Sequence, residues 1–195
     1  MNIVFAYPTG LNPQKGGVER ITDIIAKILL KRGYTIFYLN WKREQDNYEY
    51  PVPVIDLPSS NLEDPNNLEV YNRFLKENRI DVIINQHGLY EGTYFLSQVK
   101  VQNVKIISVL HSDPFGYYNH LFADLMTLRD SSIKEKVKRV ARFFLYRKVK
   151  KIIHRSLVNH YTFIQEHPQY VCLLSESYKE RLEEYCDLPD NYFIS

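Results

Sequence analysis

Short apolar runs that alternate with segments of helical period set the limits on how this chain can fold. Ile3-Val4-Phe5-Ala6 is the first such run. Others lie at 34–40, 52–57, 81–86, 105–110 and 170–174, rich in β-branched or aromatic residues. Pro51, Pro53 and Pro58 confine the third run to an edge of any sheet. Between the runs, Val18, Ile21, Ile25, Ile28 and Leu29, with Ile24 beside them, recur at helical spacing, and Gly33 is placed to stop that helix. A second helix is expected from Asn66 or Asn67 to about Asn78, and a weak one over 92–99. A long helical region begins at Ser131 or Ser132 and reaches about Glu166. In it, Ile133, Val137, Val140, Ala141, Phe144, Leu145, Val149, Ile152 and Ile153 read as one apolar stripe. Ser175 or Ser177 begins the last helix, and residues 112–130 receive no element. This order predicts an α/β fold. It is a Rossmann-like three-layer sandwich, with a mostly parallel sheet of about six or seven strands and helices on both faces. A chain of 195 residues suffices for a single domain, 1–195.

Ligands of such sheets bind outside the carboxyl ends of the strands. That rule selects the loop 9–17, Gln86-His87-Gly88, His111-Ser112-Asp113 and Ser175-Glu176. In the first, Gly16 and Gly17 open a helix, where backbone N–H groups can face an anion. Glu19 is favoured in that first turn and Arg20 is not. The loop lacks both GxGxxG and GxxxxGK[ST], so neither a dinucleotide fingerprint nor a P-loop is present. His87 and His111 end strands in similar settings. No third ligand at suitable spacing joins them, so no metal site is expected. Three consecutive residues cannot form a catalytic triad, so His111-Ser112-Asp113 is not one. His120, His154, His160 and His167 show no ligand pattern and read as surface or core residues.

The net charge is +2, but residues 134–155 alone carry +9, ten Lys or Arg against Glu135, and leave −7 for the remainder. Three readings stand for that segment: a solvated helix face, a surface that docks on anionic lipid through residues such as Lys148, Lys150 and Lys151, or a nucleic-acid surface. No nucleic-acid motif accompanies the charge, so nucleic acid is not expected as a partner. Cys172 and Cys186 are not spaced as a CxxC pair and read as reduced thiols of a cytosolic protein. The N-terminus lacks a basic n-region and a long apolar stretch, so no signal peptide is expected, and no apolar run approaches the length needed to span a bilayer.

Gly16-Gly17-Val18-Glu19-Arg20 at a helix start resembles the N-terminal signature of family 4 retaining glycosyltransferases, which have the GT-B fold. His111-Ser112-Asp113 resembles that family's His-Asp turn, with Ser112 inserted. The run from Val171 through Ser175-Glu176 to Tyr178 resembles its strand–Ser–Glu segment. The resemblance implies two Rossmann-like domains facing across a cleft, the first for the acceptor and the second for a nucleotide-sugar donor. It implies hexosyl transfer with retention, as in polysaccharide biosynthesis, without metal or other cofactor. By position, His111 would lie near the transferred sugar, and Gly16 and Gly17 against the donor diphosphate. Glu19 and Arg20 would hold the loop or contact the acceptor, with His87, Asp113, Ser175 and Glu176 around them. The donor domain would follow Ser195, with residues 192–195 opening the linker, so this chain alone is expected to transfer no sugar. Its partners would be a glycan or lipid-linked acceptor and a nucleotide-sugar held by the missing domain. Its place would be the cytoplasm, with peripheral attachment to the inner face of the membrane under the lipid-docking reading. The alternative is a stand-alone Rossmann-like binding module for an anionic sugar or lipid.

Overall fold

The computed structural model describes residues 1–42, 47–88, 90–113, 115–126, 132–166, 170–184 and 192–194. Seven strands form one sheet: β1 (Asn2–Tyr7), β2 (Thr35–Asn40), β3 (Val54–Asp56), β4 (Val82–Asn85), β5 (Lys105–Leu110), β6 (Tyr170–Leu173) and β7 (Tyr192–Ile194). Their order is β3-β2-β1-β4-β5-β6-β7. Every pairing is parallel; Ile3, for example, lies beside Ile36 of β2 and Val82 of β4. The proline-bounded β3 occupies one edge, as Pro51, Pro53 and Pro58 require. Residues 192–194, expected to open a linker, instead form the strand at the other edge.

Helix α1 (Gly17–Lys31) covers one face of the sheet, and α2 (Pro65–Glu77) and α3 (Tyr90–Ser97) cover the other. Ile3, Val4, Phe5 and Ala6 are all buried because β1 has a helix layer on each side. Val4, Ala6, Ile83 and Ile106 meet Tyr71, Phe74, Phe95 and Leu96 on one face, while Ile3, Phe5 and Ile36 meet Ala26 on the other. Towards the β7 edge, Leu110, Phe115, Tyr161, Val171, Leu173 and Leu182 form a third cluster. It ties β5 and β6 to α5 (Ile133–Glu166) and α6 (Glu176–Glu183).

Four local features depart from the sequence pattern. The cap of α2 is Asp64, whose side chain accepts from Asn66 N, with Pro65 at the first helical position. Asn67 is wholly buried and clamps the preceding loop instead, bonding Ser59 N, Ser59 O and Asn61 O. Helix α4 (Gly116–Met126) fills part of the stretch left without an element. Its Gly-Tyr-Tyr-Asn-His start is poor in strong helix formers, and Asp113 supplies the start by accepting from Phe115 N.

The third departure is α1 itself. It turns Glu19, Thr22, Asp23 and Ala26 to the sheet and leaves Ile21, Ile24 and Ile28 exposed. Its polar groups are managed locally: Thr22 Oγ1 donates to Val18 O, and Lys27 holds Asp23 at 2.8 Å. The stop at Gly33 is as expected. Gly33 has φ +83°, its N–H donates to Leu30 O and that of Tyr34 to Leu29 O, the paired bonds of a Schellman ending. Finally, α5 is a single helix of 34 residues, and much of its apolar stripe faces outward rather than into a core. Ser132 begins it, accepting from Glu135 N at 3.3 Å.

Candidate functional site

The strand order reverses at β1, whose neighbours β2 and β4 are reached by connections running opposite ways. A crevice opens outside the carboxyl ends of strands at such a point. Here it is a cavity of about 590 Å³, lined by Tyr7 from the end of β1, Gln86 and His87 from the end of β4, and His111 from the end of β5. Val18 of α1 and Leu157, His160 and Tyr161 of α5 complete the walls.

The turn into α1 sits beside this cavity. Asn12 orders it, its side chain accepting from Gln14 N and its carbonyl from Lys15 N, both at 3.0 Å. Gly16 caps the helix in an extended conformation with no side-chain bond. A Cβ on Gly16 would overlap Glu19 Oε2, whereas one on Gly17 would enter open space. The chain's own Glu19 carboxylate is therefore folded back over the helix start, where the dipole favours negative charge. It also acts on the cavity. Burial, and then the Glu19 charge, raise the Tyr7 hydroxyl pKa, and Glu19 partly offsets the lowering of His111 by burial. Arg20 is exposed and does not line the cavity.

His111 Nε2 donates to Gln86 Oε1 at 2.5 Å, which places the proton on Nε2 and leaves Nδ1 as an acceptor. Gln86 is buried, so the imidazole has a fixed support. Behind it, Asn85 donates to Thr93 Oγ1 and Ser108 Oγ and accepts from His87 N, which sets the turn after β4. His87 is boxed by rings, edge-on to Tyr7 at 6.1 Å and to Trp41 at 5.9 Å. Burial, with the Lys42 charge adding to it, lowers its pKa to about 4. His160 Nε2 donates to Gly88 O at 2.9 Å, and burial lowers its pKa too, against the smaller opposing effect of that bond. All three imidazoles are thus neutral near pH 7. No Lys or Arg lines the cavity among the described residues, so its walls are aromatic and hydrogen-bonding rather than cationic. A larger groove of about 920 Å³ along α2 is walled by charges of both signs, Glu69, Arg73, Lys76 and Glu77 among them, and lies away from the strand ends.

No protein-family model matches the chain, and no curated protein matches it. Among solved structures, one described as "Crystal structure of a putative epimerase from Burkholderia cenocepacia J2315" aligns with a TM-score of 0.43 at 12% identity, over 88% of this chain and 52% of that one. The chain therefore spans about half the length of that structure. Nothing about the chemistry of this chain follows from a likeness of that size.

Of the residues singled out from sequence, His87, His111 and Asp113 line the cavity, Glu19 acts on it through its charge on Tyr7 and His111, and Gly16 and Gly17 precede Val18, which lines it. Asp113 is already engaged. Its carboxylate accepts from Phe115 N and forms an ion pair with Arg181 of α6, so it joins α4 to α6. Ser175 and Glu176 do not line the cavity. Ser175 caps α6 and pairs with Ser177 Oγ at 2.9 Å, and Glu176 lies 3.7 Å from Lys179. Lys148 and Lys151 are exposed, but Lys150 is half-buried, its Nζ 4.8 Å from the Tyr118 ring centroid. Sequence reasoning passed over Tyr7 and His160. The signal for His160 was its place among Leu157 and Tyr161 on the inward side of a helix. His167 and Cys186 lie outside the described residues; Cys172 is a buried free thiol. Among the described residues no helix is long and apolar enough to cross a membrane, and no group of three or more His, Cys, Asp or Glu is placed to hold a metal.

Proposed function

We propose that this chain is the acceptor-binding half of a family 4 retaining glycosyltransferase, which transfers a hexose from a nucleotide-sugar to a glycan or lipid-linked acceptor. One observation carries the reading. The helix start that follows the glycine pair meets, through Val18, a crevice lined by His87 and a supported His111, whose walls are rings and hydrogen-bonding groups with no Lys or Arg among the described residues and with their carboxylate, Asp113, already paired to Arg181. Such walls suit a neutral polyhydroxyl ligand, which stacks on rings and exchanges hydrogen bonds without needing a counter-charge. Nδ1 of His111, held by Gln86, would meet a sugar hydroxyl. The open side of Gly17 would let a diphosphate approach the helix start, provided the Glu19 carboxylate swings off it. Stabilisation of the leaving diphosphate would come from fixed backbone dipoles and from the donor domain. The walls favour this over a module for anionic sugars or lipids, because a buried anion here would face Glu19 and neutral imidazoles.

Two measurements test the reading. Imidazole resonances of His87 and His111 should shift on addition of neutral oligosaccharides and less on addition of anionic ones; the reverse order would return the alternative. Incubated with labelled nucleotide-hexoses and acceptor lipids, the 195-residue chain should form no labelled product. Turnover by the chain alone would overturn its reading as half an enzyme.

A further inference from the structure

The first half of α5 carries apolar side chains that nothing among the described residues covers. Ile133 is 80% exposed, Val137 64%, Val140 55% and Phe144 78%. At 3.6 residues per turn these four and Ala141 share one side of the helix. Followed along the helix, the same side next presents Arg147, Lys148, Lys151 and Arg155, all exposed. An apolar run of three turns is thus continued end-on by a basic run of similar length. The side that meets the body of the protein is a different one: there Leu157, His160 and Tyr161 pack inward and Lys150 lies over Tyr118. The acid in this stretch, Glu135, is held by Lys138 at 2.7 Å.

We infer that this side of α5 docks on an anionic phospholipid surface, with Ile133, Val137, Val140 and Phe144 entering the headgroup boundary and Arg147, Lys148, Lys151 and Arg155 lying on lipid phosphates. Charge complementarity selects this occupant. A water-soluble protein partner would meet either the apolar or the basic run with matching chemistry, whereas a bilayer surface offers acyl boundary and phosphate in one plane. A second copy of the chain is disfavoured, since it would set nine net positive charges against nine. The inference rests on α5 alone and holds whatever the crevice binds.

The test is co-sedimentation with phosphatidylcholine vesicles, with and without about one third phosphatidylglycerol. The wild-type chain should pellet with the anionic vesicles, stay in solution with the neutral ones, and be released by raised salt. Lys148→Gln with Lys151→Gln should weaken partitioning about fivefold per cation removed. Val140→Ser with Phe144→Ser should weaken it independently, and Lys150→Gln should act least. Circular dichroism on each variant checks that the exposed substitutions leave the fold intact. Failure of the wild-type chain to bind anionic vesicles overturns the inference, as does binding indifferent to both the basic and the apolar pair. Concentration-dependent dimerisation abolished by Phe144→Ser, in place of vesicle binding, would assign the surface to a second copy.

Discussion

At Gly16 the demand for glycine comes from a neighbour, since its backbone is extended and open to any residue. A methyl group there meets the flexible tip of Glu19. Gly16→Ala should therefore cost about 1 kcal/mol or less in urea unfolding, near the usual penalty for alanine at a helix cap. Its larger effect is electrical. The Glu19 charge opposes the lowering of His111 by burial, so moving or neutralising it should let the His111 pKa fall further. A pH titration by NMR of wild type, Gly16→Ala and Glu19→Gln should show this fall in both variants. An unmoved His111 in Glu19→Gln would remove Glu19 from the site. The glycines and His111 were visible in the sequence because their residue types are informative. Tyr7 and His160 were harder to see, and so was the support that Gln86 gives His111, since each acts through a neighbour distant in the chain.

Among the elements, α1 separates period from orientation. Its isoleucines announce a helix, yet the side pressed to the sheet is Glu19, Thr22, Asp23 and Ala26. Short side chains such as Thr22 and Ala26 allow close approach to β1 and β2, Ile25, Leu29 and Leu30 pack along the margin of that contact, and Ile21, Ile24 and Ile28 are left outside. Ile24→Lys should therefore change stability by no more than about 0.5 kcal/mol, whereas Ala26→Leu should cost about 1–3 kcal/mol by overpacking; urea unfolding of the two separates this orientation from the conventional one. The entry to α2 offers a second contrast. Asp64→Ala removes one cap bond and should cost about 1 kcal/mol. Asn67→Ala leaves Ser59 N, Ser59 O and Asn61 O without their partner and should cost more, about 2–3 kcal/mol. Equal losses would mean that Asn67 serves only as a helix residue. Asp and Asn are interchangeable as sequence signals for a cap, which is why the boundary fell two or three residues late.

For the molecule as a whole, three imidazoles buried neutral around one crevice tie stability to pH. His87, His111 and His160 all have pKa values lowered by burial from the ordinary 6.5, His87 to about 4. Below 6.5 the unfolded chain takes up protons that the folded chain refuses, so stability is lost as pH falls from there towards 4 and is insensitive to these groups above 6.5. The urea midpoint should drop between about pH 7 and about pH 5, and His87→Gln should shrink that drop. A midpoint that stays put over this range would mean the imidazoles are charged or solvated in the fold.

The sequence by itself determined the fold class, the parallel sheet, the edge place of β3 and the stop at Gly33, because each depends on local chemistry: apolar period, proline's missing N–H, glycine's freedom at positive φ. It also marked the strand ends at which the crevice opens, since that follows from strand order alone. The tertiary structure decided which face of each helix is buried, that Ser175 and Glu176 do not line the crevice, that Lys150 lies over Tyr118, and that Tyr7, Gln86 and His160 join His111. It decided too that most of the stripe on α5 faces outward. Those outcomes depend on which surfaces meet across the sheet, and helical period specifies that one side of a helix is apolar without specifying what lies against it.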